Sequence, residues 1–299
     1  MKKLNEILGI KYPIIQGGMA NIATGEFAAA CSNAGALGLI GVGGMTPAKL
    51  REEIKLCREK TNNPFGVNIM LMHPDAEEFA DIVVEEGIQV ITTGAGNPGK
   101  YMDKWKKAGI TVIPVVAAPI LAKHLESIGA DAVIAEGSES GGHIGEMSTM
   151  TLVPQTADAV SIPVIAAGGI ADHRQVKAAF DLGACGIQVG TCLLASAECP
   201  IHENYKKALL KAKGTDAIVT GRIGGTPVRI LKNKMSREYI KKERAGASVE
   251  ELEQYTLGSL RKAVFDGDTD RGSLMAGQSC GQLKEIRSLE EIIKELMGE

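Results

Sequence analysis

The 299-residue chain predicts a (β/α)8 barrel with a small, mainly helical insertion after the eighth strand. Three observations lead there. Short, β-branched apolar runs recur about every 25 residues, eight in all. Helix-like segments fill most of the intervals, and that alternation implies a parallel sheet covered by helices. No GxGxxG opens the first helix, as a doubly wound dinucleotide-binding sheet would require, so a closed barrel is preferred to an open sheet.

The first run, Tyr12-Pro13-Ile14-Ile15, ends in Gln16-Gly17-Gly18-Met19, and the second, residues 36–40, ends in Gly41-Val42-Gly43-Gly44. Residues 65–69, 89–93, 111–116, 131–135, 163–167 and 186–189 complete the series. Helices are expected over 26–33 behind a Thr24 cap and over 46–60, where Thr46-Pro47 supplies a cap and a first-turn proline. Residues 75–86, 98–108, 119–128 and 172–182 have the same texture, and Gly87, Gly109, Gly129 and Gly183 stand where C-caps belong.

The pattern breaks near Cys199-Pro200. Residues 200–264 hold 14 Lys/Arg against 7 Asp/Glu, which leaves the rest of the chain net acidic at −10. This stretch reads as a basic helical cap. The expected division is therefore a barrel made of residues 1–199 and 265–299, with 200–264 as the cap domain. The chain returns through Gly272 to Gln278 and closes with an amphipathic helix over 288–297.

Composition removes several classes of function. A hydrophobic fraction of 44% suits a globular core, and a net charge of −3 excludes a globally basic nucleic-acid protein. Aromatics at 4% argue against stacking platforms for RNA. No apolar run reaches the ~18 residues of a membrane span. The start turns charged again before any signal-like core forms, and six cysteines contain no CxxC pair. A reduced, cytoplasmic protein is the expectation.

In such barrels the C-terminal strand ends form the active-site face, and a phosphate is often held after strands seven and eight. Here those ends read Ala167-Gly168-Gly169-Ile170 and Gly190-Thr191, glycines that let backbone N–H groups approach an anion. Tight βα turns would also account for them. The other strand ends, Gln16 to Met19, Asn68, Thr92-Thr93 and Glu136, are mostly neutral hydrogen-bonding groups. None carries the lysine of a Schiff-base aldolase, and no carboxylate pair or His/Asp cluster suggests a divalent-metal site. A large polar ring system fits this set better than a small sugar phosphate, and flavin mononucleotide is the natural candidate.

Of five histidines, His124 and His173 fall in helices, His202 opens the insertion, and His73 stands before Pro74 as a helix-entry residue. His143 differs. It lies in Gly141-Gly142-His143-Ile144-Gly145, where the glycines leave its imidazole free for proton exchange near neutral pH. Bracing its loop is the plainer alternative. Glu136 and Glu139 precede it and could orient the ring or meet the flavin's ribityl chain. Lys234, Arg237, Lys241 and Arg244 recur at spacings of three and four, which gives one positive helix face. That face is either simply solvated or a dock for an acidic partner.

These motifs resemble the nitronate monooxygenase/2-nitropropane dioxygenase superfamily of FMN barrels, and within it the flavin-dependent enoyl-acyl-carrier-protein reductases of bacteria. The resemblance rests on residues 12–20, 64–71, 92–98, 135–137, 141–145, 150–153, 162–172, 188–191 and 275–278, and so spans nearly the whole chain. It implies that Gly18, Met19, Asn68, Glu136, Gly142, Gly168, Gly169, Gly190, Thr191, Met275 and Gln278 line the FMN site, with His143 the catalytic histidine. It also implies a reaction in two halves: NADH or NADPH gives hydride to flavin N5, which delivers it to the β-carbon of a trans-2-enoyl thioester. His143 is then the candidate acid at the α-carbon. Acyl carrier protein is the implied partner, suited to the face from Lys234 to Arg244. A homodimer and a monovalent cation are expected as well. Two positions depart from the reductases: Cys192-Leu193 replaces a basic-aromatic pair, and Ala117-Ala118-Pro119 replaces a loop with proline-serine.

Nitronate oxidation with His143 as base is the nearest rival, and NAD(P)H:quinone reduction is related to it. A flavin-free phosphosugar isomerase and a non-catalytic carrier-binding module are more distant alternatives.

Overall fold

The computed structural model describes residues 3–299. Eight parallel strands form the sheet: β1 (Ile14–Gln16), β2 (Gly38–Gly41), β3 (Phe65–Met70), β4 (Val90–Gly94), β5 (Thr111–Val116), β6 (Val133–Glu136), β7 (Val164–Ala167) and β8 (Gly186–Val189). Their order is β1-β8-β7-β6-β5-β4-β3-β2. The ring closes where β1 meets the start of β2, through a parallel bridge between Ile15 and Leu37. The fold is thus the expected (β/α)8 barrel, and each of the eight apolar runs supplies one strand.

The strands are buried on both faces, as near-continuous apolar runs require. Ile15, Leu37, Leu39, Val90, Ile113, Ile134 and Ile165 fill the barrel interior together with Leu4, Leu8 and Ile10. The last three come from or follow a five-residue helix, Leu4–Leu8, too short to show a period in the sequence. Outside, Trp105, Phe79, Ile54 and Leu50 pack helices against the outer faces of the first strands.

The expected caps are present. Thr24 and Thr46 side chains accept from Phe27 N and Lys49 N, and Asp172 and Ser288 form capping boxes with Gln175 and Glu291. One helix went unread: Thr149–Ala159 carries Pro154 in its interior, and a proline there reads as a break.

The insertion is less purely helical than its polar texture suggests. Helix Glu203–Lys211 buries Tyr205 and Leu209 in the same apolar cluster as the outer barrel. Two strands follow, β9 (Ala217–Thr220) and β10 (Val228–Leu231), paired antiparallel. Helices Lys234–Arg244 and Val249–Thr256 cover them with a separate small core of Ile230, Met235, Tyr239 and Leu252. The free edge of β10 pairs with a two-residue strand, Gly142–His143, from the loop after β6. Among the described residues no helix is long and apolar enough to cross a membrane.

Gly38 shows how tightly the first βα unit is packed. A Cβ there would lie 1.9 Å from the backbone oxygen of Ala28, in the helix Gly25–Asn33. Neither backbone can yield without opening the barrel seam. Gly38→Ala is expected to cost about 1–3 kcal/mol, or to prevent folding, in urea unfolding followed by circular dichroism.

Candidate active site

A cavity of about 300 Å³ opens at the C-terminal ends of the strands, within the usual size range of ligand sites. Eleven of the twelve residues singled out in the sequence border it: Gly18, Met19, Asn68, Glu136, Gly142, His143, Gly168, Gly169, Gly190, Thr191 and Met275. Gln278 does not. Its side chain is exposed and its backbone N–H donates to the Glu139 oxygen, while Ser279 reaches the cavity instead.

The wall is built by close approach. Gly18 has no side chain because Asn68 fills that space: a Cβ would lie 2.2 Å from the Asn68 Cγ. Asn68, on β3, is fixed by donating from Nδ2 to Thr92 Oγ1 of β4 at 2.8 Å. After β7 the backbone turns on two consecutive left-handed glycines, Gly168 (φ +95°) and Gly169 (φ +77°), a conformation other residues rarely adopt. After β8, Thr191 Oγ1 accepts from Gly277 N at 2.9 Å, so its hydroxyl proton remains available to a ligand. Met19 and Met275 line the same space.

Two buried polar atoms in this wall, Ser140 Oγ and Gln188 Oε1, have no hydrogen-bond partner within the chain. Gln188 stands in the stretch 188–191 but was not assigned to the site, because an amide within an apolar strand has no evident role from sequence. Unpaired buried polar atoms call for a ligand or solvent. Together with the glycine turns and the amide of Asn68, they fit a flat, polar, phosphate-bearing cofactor such as FMN.

The two titratable groups are shifted toward neutrality. Burial pushes the Glu136 carboxyl up to about 7. Burial holds His143 below its ordinary 6.5. Its ring is nonetheless accessible, on the short strand against β10: His143 is in register with Val228, and Gly142 with Arg229. Glu139 points elsewhere. Its carboxylate accepts from Thr149 N and Oγ1 and so caps the helix Thr149–Ala159.

Other candidates resolve simply. His73 Nδ1 accepts from Asp75 N, and His202 Nδ1 from Asn204 N, both as helix-entry contacts. Cys192 and Leu193, where the sequence departs from the reductases, belong to the barrel core and do not line the cavity. Lys234, Arg237, Lys241 and Arg244 all lie exposed on the helix Lys234–Arg244. The described residues contain no cluster of His, Cys, Asp or Glu able to hold a metal ion.

The nitronate monooxygenase family model matches residues 1–299, and the chain belongs to that family of oxidoreductases, whose members are flavin enzymes. Among solved structures it is similar to FabK from Thermotoga maritima, at 47% identity over 100% of this chain and 96% of that one, with a TM-score of 0.97. Curated relatives carry other names. A Mycobacterium tuberculosis protein named (3aS,4S,5R,7aS)-5-hydroxy-7a-methyl-1-oxo-octahydro-1H-indene-4-carboxyl-CoA dehydrogenase is 30% identical over 98% of this chain and 94% of its own. A "Probable nitronate monooxygenase" of Staphylococcus saprophyticus is 32% identical over 98% and 97%.

The raised Glu136 pKa has a sign that can be checked. The folded state binds an extra proton between the ordinary carboxylate pKa of 4.5 and about 7, so this group's contribution to stability is lost as pH rises through that window. Glu136→Gln should therefore gain stability relative to the parent chain between pH 4.5 and 7, levelling above it at roughly 3 kcal/mol. Urea unfolding of the flavin-free proteins across pH measures this; parallel curves would mean that the carboxyl is not desolvated.

Proposed function

We propose that this protein is a flavin-dependent reductase of trans-2-enoyl thioesters, acting on enoyl-acyl-carrier-protein in type II fatty-acid synthesis with NADH or NADPH as electron source. The observation that carries this reading is the full-length likeness to FabK, an enoyl-ACP reductase II, at 47% identity. The relatives named for other chemistry stand at 30% to 37%.

FMN, when bound, would supply the hydride-transfer chemistry between the nicotinamide and the β-carbon of the enoyl thioester. The backbone at Gly168, Gly169 and Gly190 and the hydroxyl of Thr191 would hold its phosphate, by close N–H approach at turns. Asn68, Glu136, Ser140 and Gln188 offer the polar contacts, with Gly18, Met19, Gly142 and Met275 completing the pocket. Glu136, with its carboxyl at about 7, is partly protonated at neutral pH and can donate as well as accept a hydrogen bond. His143 is left to protonate the α-carbon as negative charge develops there, directly or through one water. The glycines beside it keep the approach clear.

Nitronate or nitroalkane oxidation is the second reading. It is favoured by the direction of the His143 shift, which leaves a neutral imidazole, the form of a base, predominant at pH 7. The two roles have opposite pH dependences. An acid requires imidazolium, so thioester reduction should slow as pH rises through the His143 pKa; proton abstraction from a nitroalkane should accelerate.

The deciding experiment is anaerobic reduction of the flavin by each nicotinamide, followed by reoxidation with crotonyl thioester. Stoichiometric reoxidation, lost in His143→Ala together with the falling pH limb, is expected. Reduction of the oxidised flavin by an alkyl nitronate with uptake of oxygen, and no reoxidation of the reduced flavin by the thioester, would overturn the reading.

The exposed basic face suits an acidic carrier. The double variant K241E/R244E should raise KM for the carrier-linked substrate several-fold while leaving the coenzyme A thioester unaffected. Equal changes for both would remove the face from docking.

A further inference from the structure

We infer that Arg229 is a positioning residue: its guanidinium, reaching from the insertion, clamps the loop that carries His143 into the cavity. This rests on His143 being the proton donor, and nothing in the family likeness selects Arg229.

Arg229 lies on β10 and is only 7% exposed. Its side chain crosses to the loop after β6, where Nε and one terminal nitrogen donate to the Ser138 carbonyl at 3.1 and 2.8 Å. The other terminal nitrogen donates to the carbonyl of Ala217, on β9, at 2.7 Å. One guanidinium therefore ties the insertion's own sheet to the stretch between Glu136 and His143. The backbone of the same residue is in register with Gly142, and Ile144 N donates to the Pro227 carbonyl at 3.1 Å. The loop is thus gripped at Ser138 by the side chain and at residues 142–144 by the ladder.

Energetics argue against a purely stabilising role. A buried guanidinium held by neutral carbonyls has lost its hydration without an ion pair in exchange, and burial accordingly lowers its pKa. A well-packed apolar residue would stabilise the sheet at least as well. The planar fork, however, can hold one carbonyl bidentately while reaching a second strand, which neither lysine nor an apolar side chain can do. The loop it holds contains Gly137, Gly141, Gly142 and Gly145, and without the clamp it would sample many conformations. Arg229 also carries no contact with the cavity, so any effect on chemistry must pass through the loop.

The test combines hydrogen exchange with kinetics on the flavin-loaded enzyme. In the parent chain, amides 137–144 and those of β10 should share one opening free energy, because they open together; independent, faster exchange of the loop overturns the clamp and needs no variant. In Arg229→Met, loop amides should exchange at least about tenfold faster. In the same variant kcat should fall roughly 10- to 100-fold with KM nearly unchanged, the scale of a group misplaced by an ångström. Arg229→Lys should recover part of both. The falling limb of the pH profile, set by His143, should move up toward the ordinary histidine value as water reaches the ring. Unchanged loop exchange accompanied by lower overall stability would mean that Arg229 merely holds the insertion. An active His143→Ala would refute the histidine's role, while the exchange data would still decide the clamp.

Discussion

The short antiparallel ladder between Gly142–His143 and Val228–Arg229 is the contact on which the site depends. A barrel alone places the strand ends in a ring but leaves the loop after β6 free, since a glycine-rich connection has no preferred path of its own. Pairing with an inserted strand gives that loop a sheet edge, fixes its register and satisfies its backbone. The imidazole then comes to rest beside the glycine turns of β7 and β8 without needing contacts that would block it. β10 also meets the returning chain, through a bridge between Ile230 and Met275, so a single strand orients two adjacent parts of the cavity wall.

The electrostatics of the pocket follow from this closure. Glu136 is pushed up and His143 pushed down, in both cases by burial and not by a charged neighbour. A site so arranged has little fixed charge of its own and leaves charge to its ligands. That matches a cofactor which carries the electrons, with the protein providing shape, hydrogen bonds and one proton. A basic face lies apart from the cavity, on the exposed helix of the insertion.

Much of the site was legible because it depends on local backbone chemistry. Gly168-Gly169 and Gly190-Thr191 announce turns at strand ends wherever the strands lie, and His143 is conspicuous for the glycines around it. Gln188 stood in a matching stretch, yet its place in the site was not legible: an amide inside an apolar strand becomes informative only when its oxygen is found buried and unpaired. Glu139 and Gln278 misled for the converse reason. Both stand next to residues that reach the cavity, yet one caps a helix and the other faces solvent, and sequence proximity does not distinguish the side of a loop.

By itself the sequence determined the barrel and most of the residues that border its cavity, because apolar period, caps and glycine turns are set within a few residues of chain. Only the tertiary structure decided that the insertion contains strands, that one of them pairs with the histidine loop, and that Arg229 joins the two. Those pairings link residues some 90 positions apart, as Arg229 and Ser138 are. Long-range backbone pairing leaves no periodic trace in either partner when each contributes only two to four residues.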